Sequence, residues 1–380
     1  MPTPNPAFLL ERSALASLFE ALHSRGYRTL GPVRRDQAIV YDELASPDEL
    51  PAGWTDRQAS ARYELVRRDD DRLFGFTVGP ESWKRFLFPP RIPLVSITRS
   101  GRSFTADAPA PAPKRQAFIG VRACELAAIA RQDRILLHGP VVDPDYRARR
   151  EGTLIVAVQC TESGGTCFCA SMGTGPRAAS GFDLALTESL SGGRHRFVVE
   201  VGSPAGAELV AALSLPPAPE AEIAEARAAC EHAAARMGRK LPAGEVKAVL
   251  ERNLSSPHWA EVGKRCLACT SCTMVCPTCF CTAVQDGSDF SGTSAERWRV
   301  WDSCFSAAYS YIHGGSTRPQ VASRYRQWIT HKLAWWHDQF GESGCVGCGR
   351  CITWCPAGID ITEEVAALAR QAPRPTGEGA

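Results

Sequence analysis

The chain has 380 residues, 44% of them hydrophobic, with 43 Lys and Arg against 41 Asp and Glu and a formal net charge of +2. At about 100–200 residues per domain this length allows two or three domains, and the near-neutral balance leaves no basic footprint for nucleic acid. No apolar run approaches the ~20 residues of a membrane span, and the N-terminus lacks the basic region of a signal peptide, so the expected setting is cytoplasmic.

Residues 1–30 read as largely helical, with Phe8, Leu15, Leu18, Phe19 and Leu22 at helical spacing. Residues 35–115 are mixed, and WKRFLFPPRIPLVSI reads as a turn followed by a strand. QAFIGVRAC, ELAAIARQDRILL and GTLIVAVQC then give a strand, a helix and a strand, the pattern of a βαβ unit with parallel strands. FDLALTESL and RHRFVVEVG add strands, and AGAELVAAL adds a helix. An α/β domain is expected over residues 1–213, with SLPPAPE at 214–220 as a proline-rich linker. Residues 221–370 are expected to form an α-helical ferredoxin-like domain, helices alternating with cysteine-dense loops. RYRQWITHKLAWWHDQF is a long helix on this reading, and residues 371–380 are a disordered tail.

Sixteen cysteines without an export signal point to metal or redox chemistry rather than disulfides. Residues 266–277 read CLACTSCTMVCP and residues 345–356 read CVGCGRCITWCP. Both are C-x2-C-x2-C-x3-C-P, the run that holds [4Fe–4S] clusters in two-cluster ferredoxins, where the fourth cysteine reaches the other cluster. Cys266, Cys269, Cys272 and Cys355 are therefore expected to hold one cluster, and Cys345, Cys348, Cys351 and Cys276 the second. Gly347 and Gly349 allow positive φ and close approach to the sulfides. Pro277 and Pro356 fit the first turn of a helix whose positive end would favour the reduced cluster. A single CxxC also fits zinc or a redox dithiol; two copies of this spacing favour iron. The 69 positions from Cys276 to Cys345 leave room for an insert that small ferredoxins lack. Trp301, Trp335, Trp336 and Trp354 read as core packing, with shielding of the clusters as the alternative.

Cys124 follows one parallel strand and Cys160 ends the next, so both are expected at the same sheet edge, where open α/β sheets build sites. The loop TESGGTCFCASMGTG brings Cys167 and Cys169 there, with Gly164 and Gly165 permitting a tight wrap. These four form a candidate third cluster, weighed against simple burial. Cys279, Cys281 and Cys304 lack a fourth ligand and read as buried, with ligation as an alternative. Cys230, on an Ala-rich helix, reads as structural. GTGPRAASG is not a phosphate loop, no Walker motif or nucleophile elbow occurs, and His313 and His331 read as ordinary.

The runs CLACTSCTMVCPTCFC, RWRVWDSCFS, RYRQWITHKL and SGCVGCGRCITWCPAGIDI resemble one family, as do GVRACELAAI, QCTESGGTCFCASMGTGP and, less specifically, ESWKRFLFPP. It comprises the iron–sulfur β subunit of cytosolic NAD(P)-linked [NiFe] hydrogenases (sulfhydrogenases) and the corresponding iron–sulfur subunit of anaerobic sulfite reductase. The resemblance implies an electron carrier beside a catalytic subunit of [NiFe] hydrogenase or sulfite reductase type and beside a flavin- and NAD(P)-binding subunit. On this reading the chain has no catalytic residues of its own. Two other readings stay open: a self-contained small reductase with flavin or substrate in the first domain, and a zinc-stabilised structural module.

Overall fold

The computed structural model describes residues 5–110, 115–242 and 245–371. The expected disordered tail, Gln371 apart, lies outside them. Strands β1 (Ala7–Glu11), β2 (Arg28–Arg35), β3 (Ala38–Glu43), β4 (Trp54–Ala59), β5 (Arg62–Arg67), β6 (Arg91–Ser100), β7 (Ser103–Asp107), β8 (Gln116–Val121), β9 (Thr153–Val158), β10 (Leu184–Ser189) and β11 (Arg196–Val201) precede the cysteine motifs. Strands β12 (Thr282–Ser288) and β13 (Ser294–Trp301) lie between them.

A seven-stranded sheet in the order β1-β11-β10-β9-β8-β2-β3 forms the first half. Its four central strands β10, β9, β8 and β2 are parallel, and antiparallel strands close both sides. The parallel strands β8, β9 and β10 are buried almost throughout, as continuous apolar runs such as LIVAV require when both faces are covered. Val156, Val158 and Ile119 join one core with Leu18, Phe19 and Leu22. Ile155, Ala157 and Phe118 join the other with Trp83 and Tyr146.

In this seven-stranded sheet the register breaks once, at Gly120. This residue has φ +90, and a Cβ there would meet Phe74 and Pro32 at 3.2 and 3.3 Å. The extra residue reverses the alternation, so Val121 faces the Trp83 core although Ile119 faces the other. The bulge thus sets the aim of the chain as it leaves β8 into the helix Ala123–Leu136.

The structure differs from the sequence reading in several places. Residues 1–30 contain a strand on each side of the helix Leu15–Ser24, and Phe8 belongs to β1, paired across to Val199. Ser214 turns with φ +50, and residues 215–219 then run along β1, with Leu9 N–H donating to the Pro216 carbonyl at 2.8 Å and Ala218 N–H to that of Ala7 at 2.9 Å. The helix Glu220–Ala235 then packs against β10 and β11, where Arg196 pairs with Glu222 at 2.5 Å. The region between the motifs is not all helical. The hairpin β12–β13 pairs with β6 and β7 in a four-stranded sheet of order β12-β13-β6-β7, so strands from both halves share one sheet. Periodicity along either segment alone does not reveal a partner about 200 positions away.

The long helix after this sheet is broken by a π turn. The helix Val321–Thr330 passes through π geometry at His331–Trp335 before resuming as Trp336–Phe340. Such turns shift side chains out of the regular helical stripe and are frequent at functional sites. Here the turn carries Lys332.

Candidate iron–sulfur centres

The two cysteine motifs fold into the same loop. Ala268 and Gly347 occupy equivalent places with φ +50 and +64, and Thr270 and Gly349 do so with φ +68 and +78. In each loop the amide two residues past the first cysteine donates to its sulfur, Ala268 N to Cys266 Sγ and Gly347 N to Cys345 Sγ, both at 3.4 Å. A one-turn helix follows, Ser271–Met274 in one and Arg350–Thr353 in the other. Pro277 and Pro356 stand in turns beyond these helices rather than at the start of new ones. The expected helix N-terminus facing a cluster from the prolines is therefore corrected: the helix has already begun before the third cysteine, and proline follows its end.

Tertiary packing explains why only the second motif uses glycine. A Cβ on Gly347 would stand 2.7 Å from the Cα and N of Cys169, and one on Gly349 would stand 2.4 Å from the Thr166 carbonyl oxygen. The close approach that both glycines allow is to the backbone of the first-half cysteine loop. At the first motif Cys269 and Leu267 are exposed, so Ala and Thr carry the same φ at a strain cost of about 1–2 kcal/mol each.

Cys266, Cys269, Cys272 and Cys355 line one cavity, and Cys351 of the second motif borders it too. Tyr325, Trp328 and Phe305 form part of its apolar wall. Tyr325 Oη and Trp328 Nε1 are buried without a hydrogen-bond partner among the described residues. Buried donors of this kind ask for an acceptor, and cluster sulfides or thiolates supply one. Sequence reasoning missed both residues, because an aromatic on a helix carries no local mark of what its polar tip meets.

Cys276 lies among the other three cysteines of the second motif. Burial pushes the Cys351 thiol up, and charge on Cys345, Cys348, Cys276 and Cys272 adds to it. Burial raises Cys345 to about 11, against the pull of Lys332, and Cys348 and Cys276 raise it further. Lys332 Nζ reaches Cys276 Sγ at 3.2 Å and Thr278 Oγ1 at 2.9 Å. Arg350 is fully buried, pairs with Glu125 and donates to the Gly79 carbonyl at 2.9 Å. Its Nη1 has no partner among the described residues, while its charge acts on the Cys348 thiol. Two buried cations beside these sulfurs fit an anionic cluster.

The first-half cysteines also converge. Burial raises the Cys169 thiol, followed by charge on Cys167, Cys160 and Cys348. Burial raises Cys167 to about 12, with Cys160 and Cys348 adding to it. Cys124 is raised by burial and then by Cys169 and Cys348. Arg122, itself buried, lies 3.8 Å from Cys160 Sγ through Nη1 and donates to the carbonyls of Phe74 and Phe76. Gly164 passes close to this site, a Cβ on it meeting Cys167 Sγ at 3.3 Å, whereas Gly165 passes against the Gln58 carbonyl. The loop is docked on the second motif: Phe168 N–H donates to the Gly347 carbonyl at 2.9 Å, and Thr174 Oγ1 to that of Val346 at 2.7 Å.

None of the sixteen cysteines is in a disulfide. Among the described residues no three Cys, His, Asp or Glu side chains gather as ligands of a single ion. A cubane spreads one thiolate to each of four irons, so its ligands do not meet at one point. Trp336 packs on Phe340 and against Gly344, and Trp354 stacks on Tyr63 at 5.2 Å. Trp301 Nε1 donates to the Phe88 carbonyl at 2.9 Å, and Trp335 packs on the core of the second half. Among the described residues no helix is long and apolar enough to cross a membrane.

Residues 265–359 match the family described as 4Fe-4S dicluster domain, and the C-terminal region accordingly holds two [4Fe–4S] clusters. Over 337 residues the chain is 30% identical to sulfhydrogenase 2 subunit beta of Pyrococcus furiosus, spanning 88% of this chain and 90% of that protein. This extent takes in the α/β half as well as the two motifs, and the chain belongs to the family of sulfhydrogenase iron–sulfur β subunits.

Proposed function

We propose that this chain relays single electrons between a catalytic subunit of [NiFe] hydrogenase type and a flavin- and NAD(P)-binding subunit, in a soluble cytoplasmic complex. The observation that carries the reading is the exchange of fourth cysteines. Cys355 faces the cavity of Cys266, Cys269 and Cys272, and Cys276 lies among Cys345, Cys348 and Cys351. These two sets are the proposed ligands of the two clusters, which supply one-electron storage when bound. Cys124, Cys160, Cys167 and Cys169 are the proposed ligands of a third. Their proximity to Cys348 supports a row of three sites from the sheet edge to the Tyr325 cavity. The protein's own part is to exclude water, supply buried cations and orient amides toward sulfur. An electron carrier of anaerobic sulfite reductase is the alternative within the same chemistry.

Iron and sulfide analysis with EPR of the reduced chain tests this. About eight irons correspond to two cubanes and about twelve to three. Cys355→Ser is expected to disturb the cluster of the first motif, and Cys276→Ser that of the second. The opposite pairing would sink the ligand assignment. Flavin absorption bands in the purified single chain would favour a self-contained reductase instead.

A further inference from the structure

The three remaining thiols of the C-terminal half are not scattered. Cys279, Cys281 and Cys304 line one cavity, beside the π turn that carries His331 and Lys332. Residues of the loop after the first motif and of the loop after β13 build it together. Cys279 and Cys281 are brought in by the run CPTCFC, and Cys304 by WDSC. None of the three belongs to the sets assigned above.

The charges around this cavity lack carboxylate partners. Lys84 is 4% exposed and Lys332 is 6% exposed. Lys84 Nζ donates to the Cys279 carbonyl at 3.2 Å and lies 3.8 Å from the centre of the Trp301 ring. Lys332 Nζ meets only Cys276 Sγ and Thr278 Oγ1 among the described residues. Among these residues neither ammonium is ion-paired with Asp or Glu. Burial pulls Lys84 toward its neutral form, and negative charge on Cys279, Cys276 and Cys281 opposes that pull; for Lys84 to stay charged beside Lys332, more counter-charge is needed than one Cys276 thiolate supplies. Negative charge on Cys276 and Cys279 acts on both lysines, and that on Cys281 acts on Lys84 as well. The two lysines call for an anionic species held by the sulfurs of this cavity.

We propose that Cys279, Cys281 and Cys304 bind a further iron–sulfur cluster, with Lys84 and Lys332 as its buried counter-cations. Cys281 and Cys304 are in hydrogen-bond contact with each other, and Cys279 is in contact with Cys276. Three thiolates would leave one iron of a cubane without a cysteine, and His331 and Tyr309 line the same cavity. Cys304 lies near Cys272, and Cys279 near Cys276, so the site adjoins both motif clusters. The proposal rests on the assignment of Cys276 to the second motif, since otherwise Cys276 would be the fourth ligand here.

The test uses the full chain purified without oxygen. Iron and acid-labile sulfide are compared between wild type and the variant Cys279→Ser, Cys281→Ser, Cys304→Ser. The expected result is a loss of about four irons with the ferredoxin-type EPR signals retained. Unchanged iron overturns the proposal. Should the triple variant fail to fold, the wild-type iron decides. Subtracting what the four N-terminal serine substitutions remove leaves about twelve if the further cluster exists and about eight if it does not. Failure of the underlying reading shows separately, as no iron loss in Cys266→Ser and Cys345→Ser. Should Cys276→Ser and the triple variant abolish the same EPR signal, the four thiols hold one cluster and the proposal of a separate site falls.

Discussion

Arg350 and Glu125 form an ion pair at 2.6 Å with side chains 0% and 1% exposed. It joins the second cysteine motif to the first helix after β8. Tyr41 and Trp83 complete the Glu125 carboxylate at 2.8 and 3.0 Å. Removing one partner leaves the other charged and buried. Glu125→Ala is expected to destabilise the protein by about 3–5 kcal/mol, read as a lower unfolding midpoint. A double replacement of both by apolar residues is expected to cost less than Glu125→Ala alone.

Gly347 and Ala268 occupy equivalent loop positions with opposite tolerance. Gly347→Ala drives a Cβ to 2.7 Å from the Cys169 backbone and is expected to cost about 1–3 kcal/mol, with weaker retention of the second-motif cluster. Ala268→Gly relieves a positive φ and is expected to be neutral or to stabilise by up to about 1 kcal/mol. Thermal melts of the two variants check the contrast.

Lys332 places its ammonium 3.2 Å from Cys276 Sγ. Hydrogen bonds and positive charge at a ligating sulfur raise a cluster's potential. A charged hydrogen bond of about 1.5–3 kcal/mol corresponds to roughly 60–130 mV for one electron. Lys332→Met is therefore expected to lower one cluster potential by that order, seen in an EPR-monitored titration. An unchanged potential would remove the lysine from the tuning of that site.

His331 is held down to about 4 by burial, with the Lys332 charge adding to it. Its folded pKa lies below its unfolded value near 6.5, so below that pH the unfolded chain takes up the proton first. Stability is full above about pH 6.5, declines toward pH 4 and then levels, by at most about 3 kcal/mol from this group. His331→Phe is expected to flatten that part of the pH profile of the unfolding midpoint.

Cluster removal by a chelator under oxidising conditions is expected to act unevenly. On the proposed ligand assignment each motif cluster would draw ligands from both ends of the 266–355 region, so its loss would free both loops at once. Hydrogen exchange is expected to rise over residues 266–277 and 345–359 and to stay slow in β8, β9 and β10, whose strands are buried on both faces. Equal acceleration in those strands would show that the sheet depends on the clusters.

Much of the parallel sheet is legible in the sequence because its signals are local. β8, β9 and the helix between them follow from two buried apolar runs around a helical period. β1 reads as helix because Phe8 falls in phase with the helix at Leu15–Ser24. The hairpin β12–β13 escapes a sequence reading because TAVQDGS and SAERWRVW are half-exposed, and their pairing with β6 is decided across the chain. Cys124, Cys160, Cys167 and Cys169 are legible at one sheet edge, yet nothing local says that Cys348 adjoins them.

By itself the sequence determined the two ligand loops and their chemistry. Cysteines three and four positions apart, in two copies that each end in Cys-Pro, favour iron–sulfur ligation over zinc, and each copy carries that information within twelve residues. Tertiary structure alone decided what surrounds the loops. It selected glycine at positions 347 and 349 through the backbone at Thr166 and Cys169. It placed Lys332 against the Cys276 sulfur and Lys84 on the Cys279 carbonyl. Long-range packing sets these neighbours, and no spacing along the chain encodes a charge that arrives from nearly 200 positions away.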